Sequence, residues 1–465
     1  MHWMPASAGM TWEAHRRMVA GCQRAWQRPR ERDRAMRRTA KIGSVLTALC
    51  LTTSASYGDQ PGSSPGTGTA MCMSRPNAAD APPSTLAQWA EGAQLFDGLG
   101  SFHRKASTGS DAAQAYFDQG MRFIWAFNHD EATRSFAKAA ELDPHCAICF
   151  WGVSLTVGPN YNLPMMAEPR AKVAWEALQQ AQVNAGGASP VEQALIHALA
   201  SRYQGAQPLD PSNEGPVLTA YAHAMQDVAR HFPDDSDVQT LTAEALMNTN
   251  AWKLWALDGT PAPGTEEIVA TLERVLAKDS LHPGANHYYI HAIEASPHPE
   301  KAVASAERLR GMMPAAGHLE HMPAHIMQRV GRYGDAAEAN RRGAAADLDY
   351  FARTKPLDYY VMYTAHNYQL LAFSTVMQGR KAETLDAARR SRAIVSDDLL
   401  MDMPGVDWNA AELYMAMVRF GLWDDVLAET APNAKLNGLT AGYLYAKATA
   451  LAAKGRVAEA KQSLA

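Results

Sequence analysis

Histidines cluster in one part of the sequence and recur there at a fixed spacing. Seven of the 16 histidines lie between residues 282 and 330. His287 and His291 are four residues apart, and His321 and His325 repeat that pair 34 residues later. Residues four apart share one face of a helix, so each pair directs two imidazoles the same way. Imidazoles grouped on one face are typical ligands of transition metals, and the spacing therefore indicates a metal site.

A helical repeat would position these side chains. Segment 116–144 has small and large residues at fixed offsets, namely Gly120, Phe123, Ala132, Phe136, Ala139 and Pro144. This segment resembles the tetratricopeptide repeat (TPR) family, which implies antiparallel helix pairs stacked into a right-handed superhelix. Weaker copies lie at 331–340, 379–388, 421–429 and 455–464. Because such units bury their apolar faces only against neighbours, we expect an all-α fold, an α-solenoid over residues 86–465.

The TPR resemblance also implies which positions of each repeat face a concave groove. With Pro314 closing one repeat, His287 and His291 take positions 5 and 9 of a first helix, and His321 and His325 take the same positions in the next. Positions 2, 5, 9, 12 and 13 line the groove in this family. The candidate metal ligands on that wall are His287, His291, Glu294, His318, His321, His325 and His366.

The donor set leaves the metal open among Cu, Zn, Fe and Mn. Neighbouring methionines would suit copper in an exported protein, although Met is also common packing material. "HYYIH" is not a zinc-protease motif, because Tyr288 stands where that motif needs its general base. Metal-bound imidazoles usually donate their other nitrogen to an acceptor, for which Glu294, Glu320 or Asn367 are candidates.

Three functions are compatible with this pattern. The first is metal binding by the histidine pairs, and the second is a metal-free scaffold that holds a peptide or small ligand in the groove. The third is a metal-dependent enzyme with Glu294 or Glu244 as base. The sequence contains no nucleophile triad, phosphate loop or nucleotide fingerprint, so an enzyme has the least direct support. The chain also resembles exported bacterial TPR proteins that carry an "HMPAHI" stretch, a resemblance that implies no particular activity.

Charge argues against a nucleic-acid partner. The net charge is −5, and the first 58 residues hold ten Lys/Arg against three acids, which leaves about −12 for the rest. Within that basic region, a sequence starting at Met36 has the pattern of a secretory signal peptide, with Arg37, Arg38 and Lys41 before a short apolar run and "TSA" at 53–55. The run is too short for a stable membrane span. We expect a periplasmic or secreted protein.

The sequence before the helical repeats divides into three segments. Residues 1–35 are interpreted as an upstream extension that precedes the true start, 36–58 as the signal peptide, and 59–85 as a flexible Gly, Ser and Pro-rich linker. Cys146 and Cys149 are three residues apart, a spacing that is awkward for a disulfide within a helix. We expect them to be buried thiols.

Overall fold

The structure is a computed structural model that describes residues 83–163, 166, 168–208, 214–354, 358–403 and 406–464. These residues belong to one compact unit. The predicted upstream extension and signal peptide, and all but three residues of the predicted linker, lie outside the described residues. Among the described helices, none combines the length and apolar character needed to cross a membrane.

The described residues form helices and no strand, apart from one isolated bridge between Trp255 and Pro261. The first half contains α1 Leu86–Ala90, α2 Asp111–Trp125, α3 His129–Leu142, α4 Ala147–Val157, α5 Glu168–Asn184, α6 Pro190–Ala200, α7 Glu214–His231, α8 Ser236–Asn248 and α9 Thr265–Lys278. The second half contains α10 Pro283–Ile293, α11 Val303–Leu309, α12 Gly317–His321, α13 Pro323–Arg329, α14 Tyr333–Arg353, α15 Val361–Met377, α16 Lys381–Ile394, α17 Asp397–Asp402, α18 Glu412–Arg419, α19 Trp423–Ala428, α20 Asn437–Ala453 and α21 Val457–Leu464. Short 3₁₀ helices span Ala185–Gly187, Pro299–Ala302, Asp358–Tyr360 and Asp407–Ala411.

Most of these helices form pairs that stack in chain order. The helices α2 and α3 pack against each other, α4 follows as the first helix of the next pair, and α15 with α16 repeats the arrangement near the other end. First helices of successive pairs also contact one another, as α2 does with α4 and α8 does with α10. The predicted all-α solenoid of helix pairs is therefore confirmed.

Local sequence determines where the helices begin. Ser110 caps α2 by accepting a hydrogen bond from the backbone N–H of Ala113, and His282 caps α10 in the same way through its Nδ1. The helix starts agree with the predicted 34-residue repeat, because α10 begins at Pro283 and α12 begins 34 residues later at Gly317. The histidine pairs therefore occupy equivalent turns of successive first helices.

The helical stack closes on itself between α2 and α10. Nδ1 of His287 lies 2.6 Å from the backbone oxygen of Trp125, and Tyr350 donates a hydrogen bond to Glu131 at 3.0 Å. Residues 91–110, which the helical pattern had included, contain no helix and run across this junction. Their Gly98 accepts a hydrogen bond from the backbone of Ala315. The wall that the sequence analysis placed in an open groove consequently lies inside the protein.

The expectation of free thiols at Cys146 and Cys149 is wrong, because the two residues form a disulfide. Cys146 is the N-cap of α4 and has a non-helical backbone, so only Cys149 lies within the helix. Their Cα atoms are 5.3 Å apart, which is an ordinary distance for a disulfide. Both residues are fully buried.

Gly284 permits the closure, because a Cβ atom at this position would overlap the indole ring of Trp125. We expect Gly284→Ala to lower the free energy of unfolding by about 1–3 kcal/mol, since overpacking forces neighbouring groups apart. Gly334→Ala is the matched control, because Gly334 is also helical and its Cβ would meet no atom within 4 Å. Urea unfolding of both variants measures the difference, and equal stability of the two would contradict this role of Gly284.

Candidate metal centre

All seven predicted ligands lie together in the closed core. Six histidines form two groups, in each of which one ring nitrogen per residue lies within 4.8 Å of the others. We name His287, His291 and His318 triad A, and His321, His325 and His366 triad B. The helices α10, α12, α13 and α15 supply them. Their role as metal ligands stays a prediction.

Glu294 connects the two triads. Its Oε1 lies 3.2 Å from Nδ1 of His291 in triad A, and its Oε2 lies 2.6 Å from Nδ1 of His325 in triad B. Although burial opposes ionisation, the two imidazoles hold the pKa of Glu294 well below its usual range. An ionised carboxylate only accepts hydrogen bonds, so both histidines donate from Nδ1, and in the neutral ring this leaves the lone pair on Nε2.

Three further imidazoles have an acceptor at Nδ1. The backbone oxygen of Trp125 serves His287, and the side-chain oxygen of Gln369 lies 3.4 Å from Nδ1 of His366. Asn340 directs its oxygen to His321 at 2.7 Å, because its amide nitrogen donates to the backbone of Ala336. Each of these contacts selects the tautomer that leaves Nε2 available, as partners of metal-bound histidines do.

The Nε2 atoms of triad B lie close together. Nε2 of His325 lies 2.9 Å from Nε2 of His321 and 3.4 Å from Nε2 of His366. Two lone pairs at this distance repel each other unless a proton or a metal ion lies between them. Nitrogens bound tetrahedrally to one ion at about 2.1 Å are about 3.4 Å apart, so triad B needs little rearrangement to bind a metal.

Triad A has more unused hydrogen-bonding capacity. In the described part of the chain, Nε2 of His287 and His291 and both nitrogens of His318 have no hydrogen-bond partner. A buried polar atom without a partner costs about 1–3 kcal/mol and requires an explanation. One nitrogen from each ring of triad A lies within 4.8 Å of the other two. Each ring would therefore move by less than about 1 Å to reach the spacing of bound ligands.

Burial favours the neutral form of four of these rings. His287 and His321 are 0% exposed, and removal from water together with the neighbouring imidazoles lowers the pKa of each well below its usual value. The same causes lower the pKa of His318, and they lower the pKa of His366 to about 4. The neutral imidazole is the form that binds a metal, so the site is prepared for one at neutral pH.

Aromatic side chains from distant repeats cover triad A. The ring of Phe127 lies 4.5 Å from that of His287 and stacks on His291 and His318 at 5.6 Å. Tyr161 packs on His291 at 5.3 Å and stacks with Trp252. Tyr161 lies in the connection between α4 and α5, and Trp252 lies in the connection between α8 and α9.

Phe127 adopts a left-handed backbone, with φ 53°, in the turn between α2 and α3. The corresponding turns before α14, α16, α19 and α21 use Gly331, Gly379, Gly421 and Gly455, all with positive φ. A bulky residue in this conformation is strained by about 1–3 kcal/mol, and it persists only where the surroundings hold it in place. The phenylalanine at a glycine position was the sequence signal for this cover, and the sequence analysis missed it.

Two predicted hydrogen-bond partners lie elsewhere. Glu320 accepts from the backbone of Gly311 and pairs with Arg342, and Asn367 donates to Asp347. Glu244 accepts from Asn248 and belongs to neither triad.

Asn340, which the sequence analysis did not identify, takes the role expected of Glu320 or Asn367. Its helix α14 approaches α12 closely because Gly343 has no side chain, where a Cβ would lie 2.9 Å from that of His321.

Comparisons with known proteins give a limited result. No protein-family model matches the chain, and no curated protein matches it. Among solved structures 44 chains match, including the TPR domain of P58(IPK). That domain is 11% identical, with a TM-score of 0.20, and the match covers 76% of this chain and 91% of that one. The chain's own helix pairs, rather than this distant match, establish the TPR-like fold.

Proposed function

We propose that the protein binds transition-metal ions in its core, one ion at each triad. The proposal is carried by the contact between Nε2 of His321 and Nε2 of His325 at 2.9 Å. Asn340 and Glu294 accept at Nδ1 of these rings, so in the tautomers that this selects both Nε2 atoms present lone pairs to the same point. A cation at that point turns a repulsive contact into two coordination bonds.

The donor chemistry suits borderline divalent ions. The two triads offer imidazole nitrogens, and Glu294 offers the nearest carboxylate, whereas no thiolate belongs to either group of described ligands. Imidazole suits Cu, Zn and Fe, and a carboxylate adds Mn. These four ions are our candidates, and the site residues are the seven named from the sequence.

A metal-free scaffold is compatible with the fold, but the histidine wall does not serve as its binding surface. A TPR-like scaffold is consistent with protein binding. However, the histidine wall is buried, and Phe127 and Tyr161 occupy the space in front of it. A peptide partner would therefore bind on a different surface. As for an enzyme, Glu294 is already bonded to two imidazoles and is not free to act as a base.

We also propose export, which the signal-like sequence from Met36 suggests and the Cys146–Cys149 disulfide supports. Disulfides persist mainly in oxidising compartments. N-terminal sequencing of protein recovered from the periplasm or medium should find a start between residues 56 and 59. Recovery of the chain only from the cytoplasm, with residues 36–55 retained, would contradict export.

Metal content tests the proposed ligands directly. Tag-free protein should contain about two ions per chain by elemental mass spectrometry. His318→Ala should lose the ion of triad A, His366→Ala that of triad B, and the double variant both, since two nitrogens hold an ion far less tightly than three. His298→Ala is the matched control, because His298 is exposed and lies in neither triad.

Circular dichroism should show that each variant is folded. The proposal fails if the folded protein stays metal-free after incubation with Zn, Cu, Fe and Mn salts. It also fails if the triad variants keep the same metal content as His298→Ala.

Glu294→Gln should weaken metal binding at both triads without removing a histidine. The amide has one acceptor atom and one donor group, so either His291 or His325 loses its acceptor at Nδ1. Loss of such a partner costs about 10–100-fold in metal affinity. A competition titration with a chromophoric chelator measures the change. Glu300→Gln, which alters an exposed pair with His298, should bind metal like the unaltered protein.

A further inference from the structure

A small pocket opens beside triad B. Its volume is about 60 Å³, which is room for about four water molecules, and His366 forms part of its wall. Met362, Ala410 and other apolar groups line most of it, and the side-chain amides of Gln369 and Asn409 supply polar atoms. His366 is the one half-buried member of the two triads, whose other five histidines are buried.

Triad A has an aromatic cover in the described structure. Phe127 stacks on His291 and His318, and Tyr161 and Trp252 close the side of His291. The two triads therefore offer the same ligands in different surroundings. Metal sites that are closed by protein are typically structural, and sites with an accessible position admit an additional ligand.

We propose that the ion of triad B keeps an accessible coordination position, which takes a small exogenous ligand from this pocket, whereas the ion of triad A does not. The inference rests on the proposed metal binding. Three imidazoles leave at least one position of a four-coordinate ion for a further ligand. His366 belongs both to triad B and to the pocket wall, so the pocket reaches the ligand shell of that ion at this ring.

Size and charge define the class of ligand. The pocket has room for about four water molecules and is too small for a peptide or a sugar, so the ligand has about four heavy atoms or fewer. Neutral imidazoles add no charge, and Glu294 is the one carboxylate bonded to either triad among the described residues, so two divalent ions leave a positive excess. Removal from water strengthens attraction to such charge. Small monoanions, and small neutral molecules such as water or dioxygen, fit these conditions.

Azide is a suitable probe, because it is a three-atom monoanion that gives a charge-transfer absorption band when it binds Cu²⁺. Protein loaded with two Cu²⁺ per chain should bind one azide per chain, and metal analysis of the same sample gives the copper content. Ala410→Leu adds three carbon atoms at the pocket wall and should weaken azide binding at least tenfold with the copper content unchanged. Ala452→Leu is the matched control, because Ala452 is exposed on α20.

The outcomes separate this inference from the proposed function. A chain that binds no copper overturns both. A chain that holds two Cu²⁺ but binds no azide, or binds two, overturns the inference alone. Equal azide affinity in Ala410→Leu and Ala452→Leu also overturns it. Ala410→Val is a smaller change and should weaken azide binding less than Ala410→Leu does. If Ala410→Leu fails to fold, Ala410→Val takes its place in the experiment.

Discussion

The packing of Trp125 against α10 is the contact that determines the character of the site. In an open groove, water would satisfy the ring nitrogens of the histidines, and their pKa values would stay near the usual range. Closure places the backbone oxygen of Trp125 on His287 and brings Phe127 over triad A. The rings of triad A consequently favour the neutral form, and their nitrogens need partners that protein or a bound ion must supply. The strained backbone of Phe127 is retained because its ring fills the space in front of them.

The hydrogen bonds around the site favour a cation over a purely structural histidine network. In a structural network, the N–H of one ring would donate to the lone pair of the next. Here an acceptor lies at Nδ1 of five rings, so the tautomers with the proton on Nδ1 leave no proton between the Nε2 atoms of His321 and His325. A shared proton would make one of these two rings an imidazolium and would join His321 and His325 alone. A metal ion uses the same geometry and also engages His366, which a single proton does not.

The sequence predicted the repeat register and the gathering of the seven site residues, because a 34-residue period and helical spacing determine which side chains share a wall. It did not predict that the wall is covered, since that depends on Phe127 and Tyr161, which reach it from distant repeats. It also assigned Glu320 to the site although that residue is adjacent to His321 and therefore points to another face, where it meets Arg342. The disulfide was missed because Cys146 caps the helix rather than lying in it.

The repeat itself explains why there are two triads. Each combines positions 5 and 9 of one repeat with position 2 of the next. That position is His318 for triad A and, counted back from the turn glycine Gly379, His366 for triad B. The same rule shows why the described array stops there. In the repeat that contains His366, positions 5 and 9 hold Gln369 and Phe373. Gln369 instead serves as the acceptor for His366, so the residue that ends the series also orients its last imidazole and lines the adjacent pocket.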